Sequence, residues 1–173
     1  MSELSWDNAS HPSAMFSMLE DILLPYEMLL EYGLRCCFEV EESLSQEQKE
    51  IVSRVNTIKG IDDELIRIRA LLKEKHLESA GNNHTKEKQV EFWFNGGIKS
   101  LLHSKEDYEN RVPIRAGDSD LSRVYYCLST AISRKYAPSD NFPFSAESDA
   151  VDNKFADILR ELIPDPLVFK KVS

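Results

Sequence analysis

The sequence predicts an all-α protein, a single domain over residues 1–173 built as a bundle of about seven helices with a packed, extended C-terminal tail. Three observations carry this reading. Apolar residues recur at three- and four-residue spacing in segment after segment, and no convincing strand alternation interrupts them. Only six glycines occur, few for a β-rich fold full of tight turns. An apolar fraction of 42% beside 29% charged residues is ordinary for a globular chain, and 173 residues suffice for one substantial core but not for two comfortable ones.

The first helix is expected near Pro12, with Ser10 as its cap, carrying Met15, Phe16, Met18, Leu19, Ile22 and Leu23. Pro25 marks its end or a sharp kink, because proline lacks an amide hydrogen and disfavours helical geometry at Leu24. A second helix over about 26–44 is the candidate central element: Leu29, Leu30, Leu34, Cys36, Cys37, Phe38 and Val40 cover more than one stripe. Gly33 inside it predicts backbone contact with a neighbouring helix, since an uncompensated helical glycine costs about 1 kcal/mol relative to alanine. Ser45 with Gln48 forms a capping box for a third helix that buries Ile51, Val52, Val55 and Ile58 and stops at Gly60. A fourth begins at Asp62, burying Leu65, Ile68, Leu71 and Leu72, while Arg67, Arg69, Lys73 and Lys75 face outward.

The polar stretch "SAGNNHT", residues 79–85, is the best internal linker. A fifth helix over about 86–103 keeps Val90, Trp93, Phe94, Ile98, Leu101 and Leu102 in helical spacing across Gly96 and Gly97, so it is read as continuous but locally weak. Residues 105–117 lack a clear period, and such a loop either carries function or folds against the body. The sixth helix opens at Asp118 or Ser119 and aligns Leu121, Val124, Tyr125, Leu128 and Ile132 on one face. After a proline-bearing loop in which Phe142 and Phe144 are expected to pin to the bundle, a seventh begins near Ser148 and buries Val151, Phe155, Ile158, Leu159 and Leu162. Beyond it, Pro164 and Pro166 force an extended path, predicting that Leu167, Val168 and Phe169 lie back across a groove between helices. Trp6, outside the first helix, is expected to dock its ring and anchor the N-terminal segment.

Composition also bounds function. No stretch approaches the roughly 18 consecutive apolar residues of a membrane span, and "MSELSWDNAS" lacks the pattern of a signal peptide, so the expected location is the cytoplasm, with no membrane partner. The net charge of −9 sits wholly in residues 1–50, where eleven Asp and Glu face only Arg35 and Lys49; the remainder balances. Such a block argues against gripping a nucleic-acid backbone there and leaves a basic protein partner open, with Glu39, Glu41 and Glu42 as candidate partner-binding residues. It equally fits the solvated faces of helices.

Little in the sequence has the spacing of chemistry. His11, His76, His84 and His103 form no i, i+4 metal pair, and "FNGGIK" has neither the preceding strand nor the spacing of a phosphate loop. Asp62, Asp63 and Glu64 fit a helix start, where negative charge meets the amino-end dipole. Adjacent Cys36 and Cys37 could suggest redox or soft-metal work, but neighbours on a helix diverge, so they and Cys127 read as reduced core thiols. Phe92, Trp93 and Phe94 could stack bases, yet lack interleaved basic residues and read more simply as packing. No catalytic, cofactor or metal set is assigned.

Several pieces in order resemble an uncharacterised, highly paralogous all-helical protein family of planctomycete bacteria. They are Trp6 with "HPSAMFSML", the helix "LLEYGLRCCFEV", the stretch "IVSRVNTIKGIDDELIRIRALL", and "ADILRELIPDPLVF", similar to the family's Leu-Arg-to-Pro motif near the C-terminus. The likeness spans most of the chain and rests mainly on core residues. His11 stands where the family tends to have Asp, a further family cysteine near Cys36 is missing, and Asp165 replaces Asn before Pro166. The resemblance implies an all-α fold and carries no activity or ligand.

The functional expectation is therefore a non-catalytic protein-protein interaction or adaptor protein. The alternatives are an acidic immunity- or antitoxin-like protein that neutralises a basic toxin, and a hydrolase that uses Asp107, Tyr108 and Arg111 in the 105–117 loop.

Overall fold

In a computed structural model the described residues are 5–19, 22, 24–79, 85–110, 120–137 and 145–169. They form eight α-helices: α1 Pro12–Met18, α2 Tyr26–Glu39, α3 Gln46–Ile58, α4 Asp63–Ser79, α5 Lys86–Lys99, α6 Lys105–Glu109, α7 Asp120–Tyr136 and α8 Ala146–Leu162. The all-α single domain is as expected; the eighth helix is α6, where a loop was anticipated. The expected linker lies largely outside the described residues, as do Arg111, Asp118, Ser119, Phe142 and Phe144.

Helices α5 and α7 are the most closely packed pair. They run antiparallel: the Lys86 amine donates to the Ala137 carbonyl at one end, while Gly96 and Gly97 meet Cys127 and Leu128 towards the other. A Cβ on Gly97 would stand 2.8 Å from Leu128 Cδ2, so the missing side chains are what allow the approach. α5 is continuous through this pair and stops at Lys99, short of the expected His103. α2 packs on α7 and α8, α4 and α3 flank α5, and α1 crosses α7 and α8. One apolar core joins them, with Phe94, Leu128, Phe155 and Leu159 essentially inaccessible.

Several local signals act as read. Ser45 and Gln48 make the reciprocal capping box of α3, and Pro12 takes the first position of α1, where its missing N–H is not needed. Ser10 is not the α1 cap. His11 occupies that position without a side-chain bond, and the helix ends at Met18, before Ile22. α2 ends at Glu39 rather than residue 44, and a 3₁₀ turn over Glu41–Ser43 follows. α3 ends not on Gly60 but on Lys59, whose backbone is left-handed at φ 52°, ψ 46°. Asp62 caps α4, accepting from the Leu65 amide at 2.9 Å. α8 starts two residues earlier than expected, at a Ser45-like box made by Ser145 and Ser148. Gly33 does face a close neighbour, but this is the Leu101 side chain rather than another backbone.

Other positions depart from the apolar pattern. Phe38, Ile58 and Leu71, on α2, α3 and α4, are exposed. The tail is the largest correction. Leu167 and Val168 are 86% and 72% exposed, and only Phe169 touches the core. Pro166–Val168 instead curl into a 3₁₀ turn capped by Asp165, which lifts both side chains off the bundle. The N-terminal segment does what the tail does not. Trp6 is buried, and the Arg160 guanidinium reaches the Ala9 carbonyl at 2.6 Å. Among the described residues no helix is long and apolar enough to cross a membrane.

Candidate functional site

The site that stands out is built from basic residues. On α4, Ile66, Arg69, Ala70 and Lys73 follow i, i+3, i+4, i+7 and share one stripe. The α5–α7 approach brings Lys99, at the end of α5, beside Arg123, one turn before Cys127 on α7. Arg69, Lys73, Lys99 and Arg123 converge on a half-enclosed cavity of about 460 Å³, which Ser100 and His103 also line. None of the four pairs with a carboxylate among the described residues. Lys99 is half-buried, and its pKa falls below the ordinary lysine value, first through burial; Cys127 opposes the fall, and the charges of Arg123, Arg69 and Lys73 each add to it. Crowded like charges with no counter-ion among the described residues, in a chain of net charge −9, make a concave surface complementary to an anion.

A second polar cluster ties elements together instead. Asp152 on α8 is buried; it accepts from Ser129 Oγ at 2.7 Å and faces His11 Nδ1 at 3.4 Å. Burial raises its pKa, and the contacts with Ser129 and His11 oppose that rise. A nucleophile relay places the imidazole between serine and carboxylate; here the carboxylate stands between the other two, so the serine proton is held by Asp152. The arrangement clasps the start of α1 to α7 and α8.

Comparison with protein-family models, curated proteins and solved structures finds no match. The chemistry of the groove must therefore be read from its own residues.

The residues singled out from sequence are scattered. Glu39 bonds Lys154 at 3.1 Å, while Glu41 and Glu42 are exposed on the 3₁₀ turn. Residues 105–109 fold against the body as α6: Tyr108 donates to the Leu24 carbonyl at 2.8 Å, and Lys105 bonds Glu27 at 2.6 Å. Asp107 is exposed in the first turn of α6, its amide held by Ser104. Cys36 and Cys37 are buried in α2; burial pushes the Cys36 thiol well up and Cys37 to about 12. Among the described residues no three His, Cys, Asp or Glu side chains gather as a metal-ligand set.

Two of the four groove cations, Arg69 and Lys73, were recognised in the sequence as outward-facing. Lys99 and Arg123 were not singled out. The available signal was the basic stripe in "IRIRALLK" beside the paired glycines, which mark where another helix comes close.

Proposed function

We propose that this protein is a non-catalytic binding protein and that the groove between α4, α5 and α7 is where it takes an anionic ligand. The observation that carries the reading is the convergence of Arg69, Lys73, Lys99 and Arg123 on one cavity without acidic partners among the described residues. Its volume falls in the range of small-molecule sites. Arginine supplies a flat fork of donors and lysine a mobile point charge, a combination suited to phosphate oxygens. An anion would also relieve the mutual repulsion of the four cations, so binding should stabilise the fold. The test is the melting temperature and calorimetric titration with inorganic tripolyphosphate at low salt. Saturable binding that weakens steeply with added NaCl, and vanishes in Lys99→Ala/Arg123→Ala, is expected. Binding unchanged by that double substitution would place the anion elsewhere.

A second surface supports the reading of a protein that works through protein contact. Glu41 and Glu42 are exposed beside Phe38, itself 42% exposed, a combination of charge and bare aromatic surface suited to a basic protein partner. Reversal of both carboxylates to lysine is expected to abolish capture of such a partner. Capture that is insensitive to salt and to the reversal would remove the acidic surface from consideration.

A further inference from the structure

Arg123 has two sides. One closes the cationic groove; the other lines a separate cleft of about 260 Å³ between α1 and α7. That cleft is walled by Phe16, Tyr125 and Tyr126, with Ser13, Ser17 and Ser122 among them. Its rings are held in place. Tyr126 stands edge-on to Trp93, centroids 5.6 Å apart at 82°, and Tyr125 is tilted against Phe16 at 5.7 Å. Tyr126 is nevertheless 59% exposed, so a large aromatic surface faces solvent at the mouth. An apolar cleft with hydroxyls at its edges suits a flat ring that carries polar atoms on its rim.

We propose that the ligand is a free nucleoside triphosphate, its phosphates in the cationic groove, its base on Tyr126 in the adjoining cleft, and Arg123 bridging the two. The inference rests on the groove being an anion site and adds what the anion is attached to. Arg123 is placed to contact the phosphate nearest the ribose, while Lys99, Arg69 and Lys73 take the remainder of the chain. The small cleft and the overall negative charge favour a single nucleotide over a nucleic-acid strand, whose further phosphates would meet an acidic protein.

The experiment is calorimetric titration of the intact chain, without divalent metal, against ATP, GTP, inorganic tripolyphosphate, adenosine and a ten-nucleotide single-stranded RNA. At least one nucleoside triphosphate is expected to bind about tenfold or more tightly than tripolyphosphate, the scale of a base–aromatic stack. Tyr126→Ala should bring that affinity down to the tripolyphosphate level and leave tripolyphosphate itself unchanged. Ser17→Trp, which fills the cleft from the exposed surface of α1, should do the same and guards against a general effect of losing Tyr126. Equal affinities for nucleotide and tripolyphosphate, indifferent to both variants, would overturn the proposal while the groove stands as an anion site. RNA binding more tightly than either nucleotide would also overturn it. If no anion binds, the groove reading fails with it.

Discussion

The indole nitrogen of Trp6 donates a 2.9 Å hydrogen bond to the backbone carbonyl of Ile163, 157 residues further along the chain. Both residues are buried, so the first described segment is stitched to the end of α8 where water does not compete. Trp6→Phe keeps most of the ring and removes only the donor. It is expected to lower stability by about 1–3 kcal/mol, the cost of a buried carbonyl left without its partner. Chemical denaturation monitored by circular dichroism measures this, and an unchanged midpoint would show that the carbonyl is satisfied another way.

Three glycines set the helix contacts and should rank in order. A Cβ at Gly33 would lie 2.0 Å from Leu101 Cδ2, at Gly97 2.8 Å from Leu128 Cδ2, and at Gly96 3.1 Å from Cys127 Sγ. Alanine gains about 1 kcal/mol of helix propensity at each. Overpacking a rigid core costs about 1–3 kcal/mol, and Leu101 and Leu128 are both fully enclosed. Gly33→Ala is therefore expected to destabilise most, Gly97→Ala next, and Gly96→Ala least, since the half-buried Cys127 can yield. A reversed order in urea midpoints would show that the backbone, not the facing side chain, decides.

Asp152 makes a pH prediction with a definite sign. Burial raises its folded-state pKa above the ordinary aspartate value near 3.8, so over that window the folded protein holds more proton than the unfolded chain. Its stabilising contribution is complete at acid pH and lost as pH climbs through the raised pKa. Asp152→Asn can still accept the Ser129 hydroxyl but carries no charge. The stability of this variant relative to wild type should therefore rise as pH climbs from about 3.8 through the raised pKa. A relative fall over that interval would mean that the His11 contact outweighs burial.

Thiol chemistry should be slow in the folded protein. Burial pushes Cys37 to about 12 and Cys127 to about 11, and holds Cys36 well above the ordinary thiol range, so all three stay protonated at neutral pH. An aromatic disulfide reagent at pH 8 is expected to label Cys127 first, because it alone is partly accessible, and all three promptly in denaturant. Rapid native labelling of Cys36 or Cys37 would contradict their enclosure.

Lys59 occupies the left-handed position that ends α3, where a side chain costs about 1 kcal/mol and glycine costs little. Lys59→Gly should raise stability by several tenths of a kcal/mol, less the loss of its 2.7 Å bond to Asn56, which is exposed. A melting temperature below wild type would show that the Asn56 contact, not backbone strain, dominates this turn.

What the sequence by itself determined is local. Helical periodicity placed the long helices, the Ser45–Gln48 pair placed one start, and Pro12 another, because backbone hydrogen bonding and side-chain caps act within four residues. Periodicity marks an apolar face but not what covers it. The same kind of side chain is enclosed at Leu72 and bare at Leu71, and the apolar tail at Leu167 and Val168 finds no groove to fill. The cationic groove belongs to the tertiary level for the same reason. Arg69, Lys99 and Arg123 lie far apart along the chain, each unremarkable on its own helix. Only the close approach of α7 to the paired glycines of α5, with α4 laid alongside, turns separate surface charges into one concentrated field.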